Sequence, residues 1–90
     1  FIVRARGDSM VGSGIYPGDL LIVDRSIKPR NESIIIAVLD GELSVKILRF
    51  KNKQVNLSSS NNNYKDVLVS EEMDFTIWGV CTNVIHNLSP

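Results

Sequence analysis

One histidine and one cysteine are all that this chain holds of the residues most used for metal binding and for acid–base chemistry near neutral pH. Cys81 alone forms no intrachain disulfide and no cysteine-based metal cluster. One His and one Cys cannot close a structural zinc site, and nothing else in the chain calls for a metal or cofactor. His86 lies close to the end of the sequence. It could join Ser9 and an aspartate in a triad, but a surface histidine is the simpler reading. Net charge is also missing: ten basic and ten acidic residues cancel. A neutral chain without a basic stripe argues against direct, tight nucleic-acid binding, which rests on phosphate neutralisation. Aromatics make up 7%, with no ladder of rings among basic residues such as a single-strand-binding surface needs. No apolar run reaches the length of a membrane-spanning helix, and no signal peptide is visible. The expected setting is soluble, reducing and cytoplasmic.

Helical periodicity is nearly absent, and short β-rich runs are there instead. Residues 1–4, 20–23, 33–39, 42–50, 54–57, 67–70 and 75–86 read as strands, with at most a helical turn near 10–13 or 70–73. Asp40-Gly41 between two hydrophobic runs is a hairpin signal. Tyr16-Pro17-Gly18-Asp19 has the type II arrangement, with Pro setting the first central φ and Gly taking a positive φ at the second. Lys51-Asn52-Lys53 is a further turn. Residues 24–33 read as a loop, and Ser58 to Asn63, six small polar residues, as a surface loop. Short strands with closely spaced turns predict one all-β, barrel-like domain over residues 1–90. With 43% apolar residues the chain can form a core. At this length it buries roughly 60–65% of its unfolded surface, so oligomerisation is a natural source of added stability. Cys81 reads as a packed small hydrophobe, and Trp78 as core or dimer interface.

The chemistry points to Gly7-Asp8-Ser9-Met10 and to Lys46 in Leu43-Ser44-Val45-Lys46-Ile47-Leu48. A serine hydroxyl is a weak nucleophile until a base removes its proton. A lysine free in water is protonated, with a pKa of about 10.4, and burial among apolar groups disfavours that charge. Val45, Ile47, Leu48 and Phe50 supply such surroundings. On a strand, Lys46 shares a face with Ser44, Leu48 and Phe50, while Leu43, Val45 and Ile47 take the other. Gly7 and Gly12 bracket the serine and let the backbone turn tightly. Such a turn can aim the N–H groups of Ser9 and Asp8 at a developing oxyanion. The plain reading is that Gly-Asp-Ser is only a turn and Lys46 only a lysine snorkelling to water.

Four segments in order shift that balance. They are Gly7 to Met10, Gly14 to Asp24, Ile34 to Lys46, and Ile77-Trp78-Gly79-Val80. With them the chain resembles the LexA/UmuD family of self-cleaving, S24-like serine peptidases, which includes phage CI-type repressors. The Asp40-Gly41-Glu42 hairpin, the Asn-rich stretch ending at Tyr64 and the Trp78-Gly79-Val80 run are most similar to UmuD-type SOS mutagenesis proteins. The resemblance implies a small, partly open β-barrel like that of LexA and signal peptidase. It implies Ser9 as nucleophile and Lys46 as general base. It also implies self-cleavage stimulated by the RecA–single-stranded-DNA filament, and a homodimer built partly on the late strands. The processed dimer would be the accessory subunit of a UmuC-like translesion DNA polymerase. A repressor's C-terminal autocleavage and dimerisation domain is the alternative. A signal-peptidase-like enzyme ranks last, because it needs an apolar membrane-facing surface and an anchor. The family cuts at Ala-Gly or Cys-Gly, neither of which occurs here, so the expected cleavage point lies upstream of Phe1.

Overall fold

The computed structural model describes residues 1–89. Seven strands form one antiparallel sheet: β1 (Ile2–Arg4), β2 (Leu20–Asp24), β3 (Ile34–Leu39), β4 (Glu42–Lys51), β5 (Gln54–Ser58), β6 (Val67–Leu68) and β7 (Phe75–Ile85). Their order across the sheet is β1-β2-β7-β3-β4-β5-β6, which leaves β1 and β6 at the edges. A 3₁₀ turn, Val11–Ser13, follows the serine segment. The all-β, open-sheet architecture agrees with the sequence reading.

The turns form where local chemistry demands them. Asp40 and Gly41 both have positive φ, 49° and 83°, as a two-residue I′ hairpin requires. Gly18 has φ 91°, and the Asp19 N–H donates to the Tyr16 carbonyl at 3.0 Å, which closes the type II turn. Asn52 and Lys53 make the third tight turn, also with positive φ. β7 is the longest strand and pairs with both β2 and β3, with a register shift against each. Gly79 lies between those shifts. A Cβ there would come within 2.5 Å of Val23 Cγ1, so the bare Cα is what lets β2 pack against β7.

Strand alternation divides the core between two faces. On one face Leu21, Val23, Ile36 and Ile47 pack with Ala5, Met10 and Ile15 from the serine segment and its flanks. On the other, Ile35, Ala37, Leu48, Leu57 and Val80 form a second cluster. β3 therefore reads as an unbroken apolar run because both of its faces are covered. Met10 is the anchor that matters for the site. Its side chain is buried in the first cluster, which pins the residue next to Ser9 to the sheet.

Among the described residues no helix is long and apolar enough to cross a membrane. Among the described residues no three His, Cys, Asp or Glu side chains gather as metal ligands would.

Candidate active site

Ser9 sits in the loop between β1 and the 3₁₀ turn. Gly7, at φ 70°, turns the chain into this loop, and the buried Met10 side chain takes it out. Ser9 itself is half-buried. It lines a cavity of about 120 Å³ with Arg6, Gly7 and Met10 on one side and Leu43 to Val45 of β4 on the other. A neighbouring cavity of about 210 Å³ shares Ala5, Arg6 and the same stretch of β4. Together they form a shallow groove that runs along the start of β4 and ends at Ser9. Among the described residues, the N–H groups of Asp8 and Ser9 have no protein acceptor. They remain available to a ligand oxygen.

Lys46 projects from the middle of β4 on the face of the buried Leu48, and is half-buried. Phe50, two residues further along that face, is exposed, so the apolar cover expected from it is absent. The Lys46 amine does not line the groove. It donates to Ser59 Oγ at 2.9 Å and lies 5.7 Å from the centre of the Tyr64 ring. Among the described residues no hydrogen bond joins Ser9 to Lys46 directly. The two are bridged instead by adjacent residues, because the N–H of Ser60 donates to the Ser9 carbonyl at 2.9 Å.

This bridging segment corrects the sequence reading of Ser58 to Asn63 as a surface loop. Ser58 is the last residue of β5 and is fully buried. Ser59, Ser60 and Asn61 are half-buried and packed on the serine loop. Ser13 Oγ donates to Ser60 Oγ at 2.8 Å, and Asn61 Nδ2 donates to the Asp8 carbonyl at 2.9 Å. The Tyr64 hydroxyl donates to Asp8 Oδ1 at 2.6 Å. That bond and the negative charge of Asp8 raise the Tyr64 pKa above its usual value, so the phenol stays a donor. Small polar residues in sequence signal a loop. What they bond to is a long-range fact that composition does not carry.

His86 takes no part in the groove. Its Nδ1 meets Asp19 Oδ1 at 2.5 Å, and its ring packs on Tyr16 at 5.4 Å. Asp19 is 3% exposed, and its Oδ2 accepts the Tyr16 N–H at 2.8 Å. That backbone bond first, and His86 second, hold the Asp19 carboxyl below the usual range. The histidine thus closes the type II turn onto the end of β7. Cys81 is half-buried, and burial pushes its thiol up to about 11, which keeps it in the unreactive form. Trp78 is half-buried against Phe1, with ring centres 5.0 Å apart, and the Arg25 guanidinium lies over it at 4.7 Å.

The fold is a small antiparallel β domain, in which the serine loop and the β4 lysine are both tied to residues 59–60. The chain belongs to the Peptidase S24-like family, whose model matches residues 1–82. It is 34% identical to LexA repressor 2 of Pseudomonas syringae pv. tomato, and the match covers 96% of this chain and 43% of that protein. It is 36% identical to the LexA repressor of Dechloromonas aromatica, with the same coverages. It is 41% identical to Protein ImpA of Salmonella typhimurium, over 96% of this chain and 58% of that protein. The chain therefore spans about half the length of the curated relatives it matches.

Proposed function

We propose that this chain is the catalytic and dimerisation domain of a self-cleaving serine peptidase, with Ser9 as nucleophile and Lys46 as general base. The observation that carries the reading is that consecutive residues, Ser59 and Ser60, hold the Lys46 amine and the Ser9 backbone. In the reaction, Ser9 Oγ attacks the scissile carbonyl while its proton passes to the neutral Lys46 amine. The oxyanion is met by the N–H groups of Ser9 and Asp8. Lys46 then returns the proton to the departing amine, which leaves an ester on Ser9. A water deprotonated by Lys46 hydrolyses that ester. An extended segment of the protein's own chain, laid in the groove beside Leu43 to Val45, is the substrate this geometry fits.

The SOS mutagenesis role is the preferred biological setting. Cleavage would answer to the RecA–single-stranded-DNA filament, and the processed homodimer would serve a UmuC-like translesion polymerase. The Asp40-Gly41-Glu42 hairpin and the Asn-rich segment ending at Tyr64 support it. So does the 41% identity to ImpA, a relative whose name is not that of a repressor. The LexA repressors among the relatives favour the second reading, a repressor's autocleavage domain. The coding sequence upstream of Phe1 separates the two. A helical DNA-reading domain there indicates the repressor, and a short irregular arm the mutagenesis protein.

The enzymatic reading is tested by following self-cleavage of the full-length protein beside its Ser9→Ala and Lys46→Ala variants. Both substitutions are expected to abolish it. Cleavage at the normal rate in either would refute the pair.

A further inference from the structure

β5 makes its last rung with β4 at Ser58 opposite Ile47. The next three residues leave the sheet, and each holds one part of the proposed site. Ser59 Oγ takes the Lys46 amine, the Ser60 N–H takes the Ser9 carbonyl, and the Asn61 carboxamide takes the Asp8 carbonyl, each at 2.9 Å. We propose that residues 59–61 are a positioning strap, in which Ser59 orients the base and Ser60 with Asn61 orients the nucleophile loop and its oxyanion donor. This rests on the peptidase reading above.

The Asn61 contact has a directional consequence. The peptide unit between Asp8 and Ser9 is planar and trans, so its carbonyl and its N–H point opposite ways. Anchoring the Asp8 carbonyl to Asn61 on one side turns the Ser9 N–H to the other. That is the N–H assigned to the oxyanion. The backbone of a glycine-turned loop has several conformations of similar energy, and the strap selects one of them.

The Ser59 contact is suited to a base that changes protonation state. An ammonium can only donate, whereas a neutral amine carries a lone pair and can also accept. A hydroxyl serves both states, because it can accept from the first and donate to the second. Ser59 can therefore hold Lys46 on either side of the proton transfer, and it can donate to the lone pair of the neutral amine, which a carbonyl partner could not do.

Gly12 shows that the strap has a built seat. Its N–H donates to the Ser60 carbonyl at 2.8 Å, and a Cβ at this position would stand 2.3 Å from that oxygen. The close approach needs a residue without a side chain. Tyr64 closes the far end of the strap by its bond to the Asp8 carboxylate.

The test measures self-cleavage of the full-length protein over a range of pH, with thermal melts as a check on folding. The variants are Ser59→Ala, Ser59→Thr and Asn61→Ala, run beside Ser9→Ala. Ser59→Ala is expected to slow cleavage by about 10- to 100-fold and to move the rising limb of the pH profile. Ser59→Thr, which keeps the hydroxyl, should restore most of the rate. Asn61→Ala should lower the rate by a similar factor at every pH without moving the limb. Normal rates and unmoved profiles in Ser59→Ala and Asn61→Ala, with Ser9→Ala inactive, would overturn the strap and leave the peptidase reading standing. Cleavage that survives Ser9→Ala but not Ser59→Ala would make Ser59 the nucleophile and overturn both.

Discussion

Lys46 and Ser59 meet one position beyond the last rung between β4 and β5, with the amine donating to the hydroxyl at 2.9 Å. Both residues are half-buried, so this bond is less exposed to competition from water than a surface contact. It ties the centre of a ten-residue strand to a segment whose next residue grips the Ser9 backbone. The proposed nucleophile and base are thus both tied to a third element, and disturbing that element should disturb both.

Gly12 offers a way to loosen the strap without touching either reactive residue. Gly12→Ala puts a methyl into the Ser60 carbonyl, and the expected cost is about 1–3 kcal/mol of stability, typical of overpacking. Amide exchange at Ser60 should quicken, and self-cleavage should fall steeply. Gly14→Ala is the matched control. Its Cβ meets nothing within 4 Å, but φ is +80°, so strain costs roughly 1–2 kcal/mol while the strap stays seated. Equal self-cleavage in the two variants would mean that the Gly12 contact is irrelevant to the site.

The Asp19–His86 clasp should show itself in acid. The Asp19 carboxyl is held below its ordinary value of 3.8, chiefly by the Tyr16 N–H and then by His86. A depressed carboxyl stabilises the fold fully above its unfolded pKa, and the contribution is lost as pH falls through the folded one. Asp19→Asn should therefore melt below the wild type at neutral pH, with the gap closing once the pH drops well under about 4. Melting curves at several pH values decide it, and a gap of constant size would contradict the clasp.

Lys53 is a correctable strain. It occupies φ 66° in the Asn52–Lys53 turn, where glycine is the favoured residue. Lys53→Gly should raise stability by about 0.5–1 kcal/mol in denaturant unfolding, since the relief of left-handed strain exceeds the added chain entropy. A loss of stability would show that the Lys53 side chain makes a contribution of its own.

Much of the fold was legible because its signals are local. Asp40-Gly41 and Pro17-Gly18 dictate their turns by backbone preference alone, and the apolar runs on either side become strands whatever they later pack against. Ser9 and Lys46 stand out because a glycine-flanked serine and a lysine inside an apolar strand are each unusual for their surroundings. Ser59, Asn61 and Tyr64 carried no such mark. In a polar tract each looks like any solvated residue, and its value comes from partners more than ten positions away. His86 is the surface histidine that was expected, but its bond to Asp19 was not legible, since nothing near it in sequence announces Asp19. The apolar cover expected from Phe50 failed because the outer end of β4 extends past the second core cluster.

The most direct test of the central claim is the self-cleavage rate of the full-length protein from about pH 6 to pH 10, measured with and without Lys46→Ala. A lysine base must shed its proton before it can act, and a free amine does so only near pH 10.4. The account predicts a rate that climbs with pH in the wild type and stays at background in Lys46→Ala throughout. A wild-type rate indifferent to pH, matched by the variant, would contradict it.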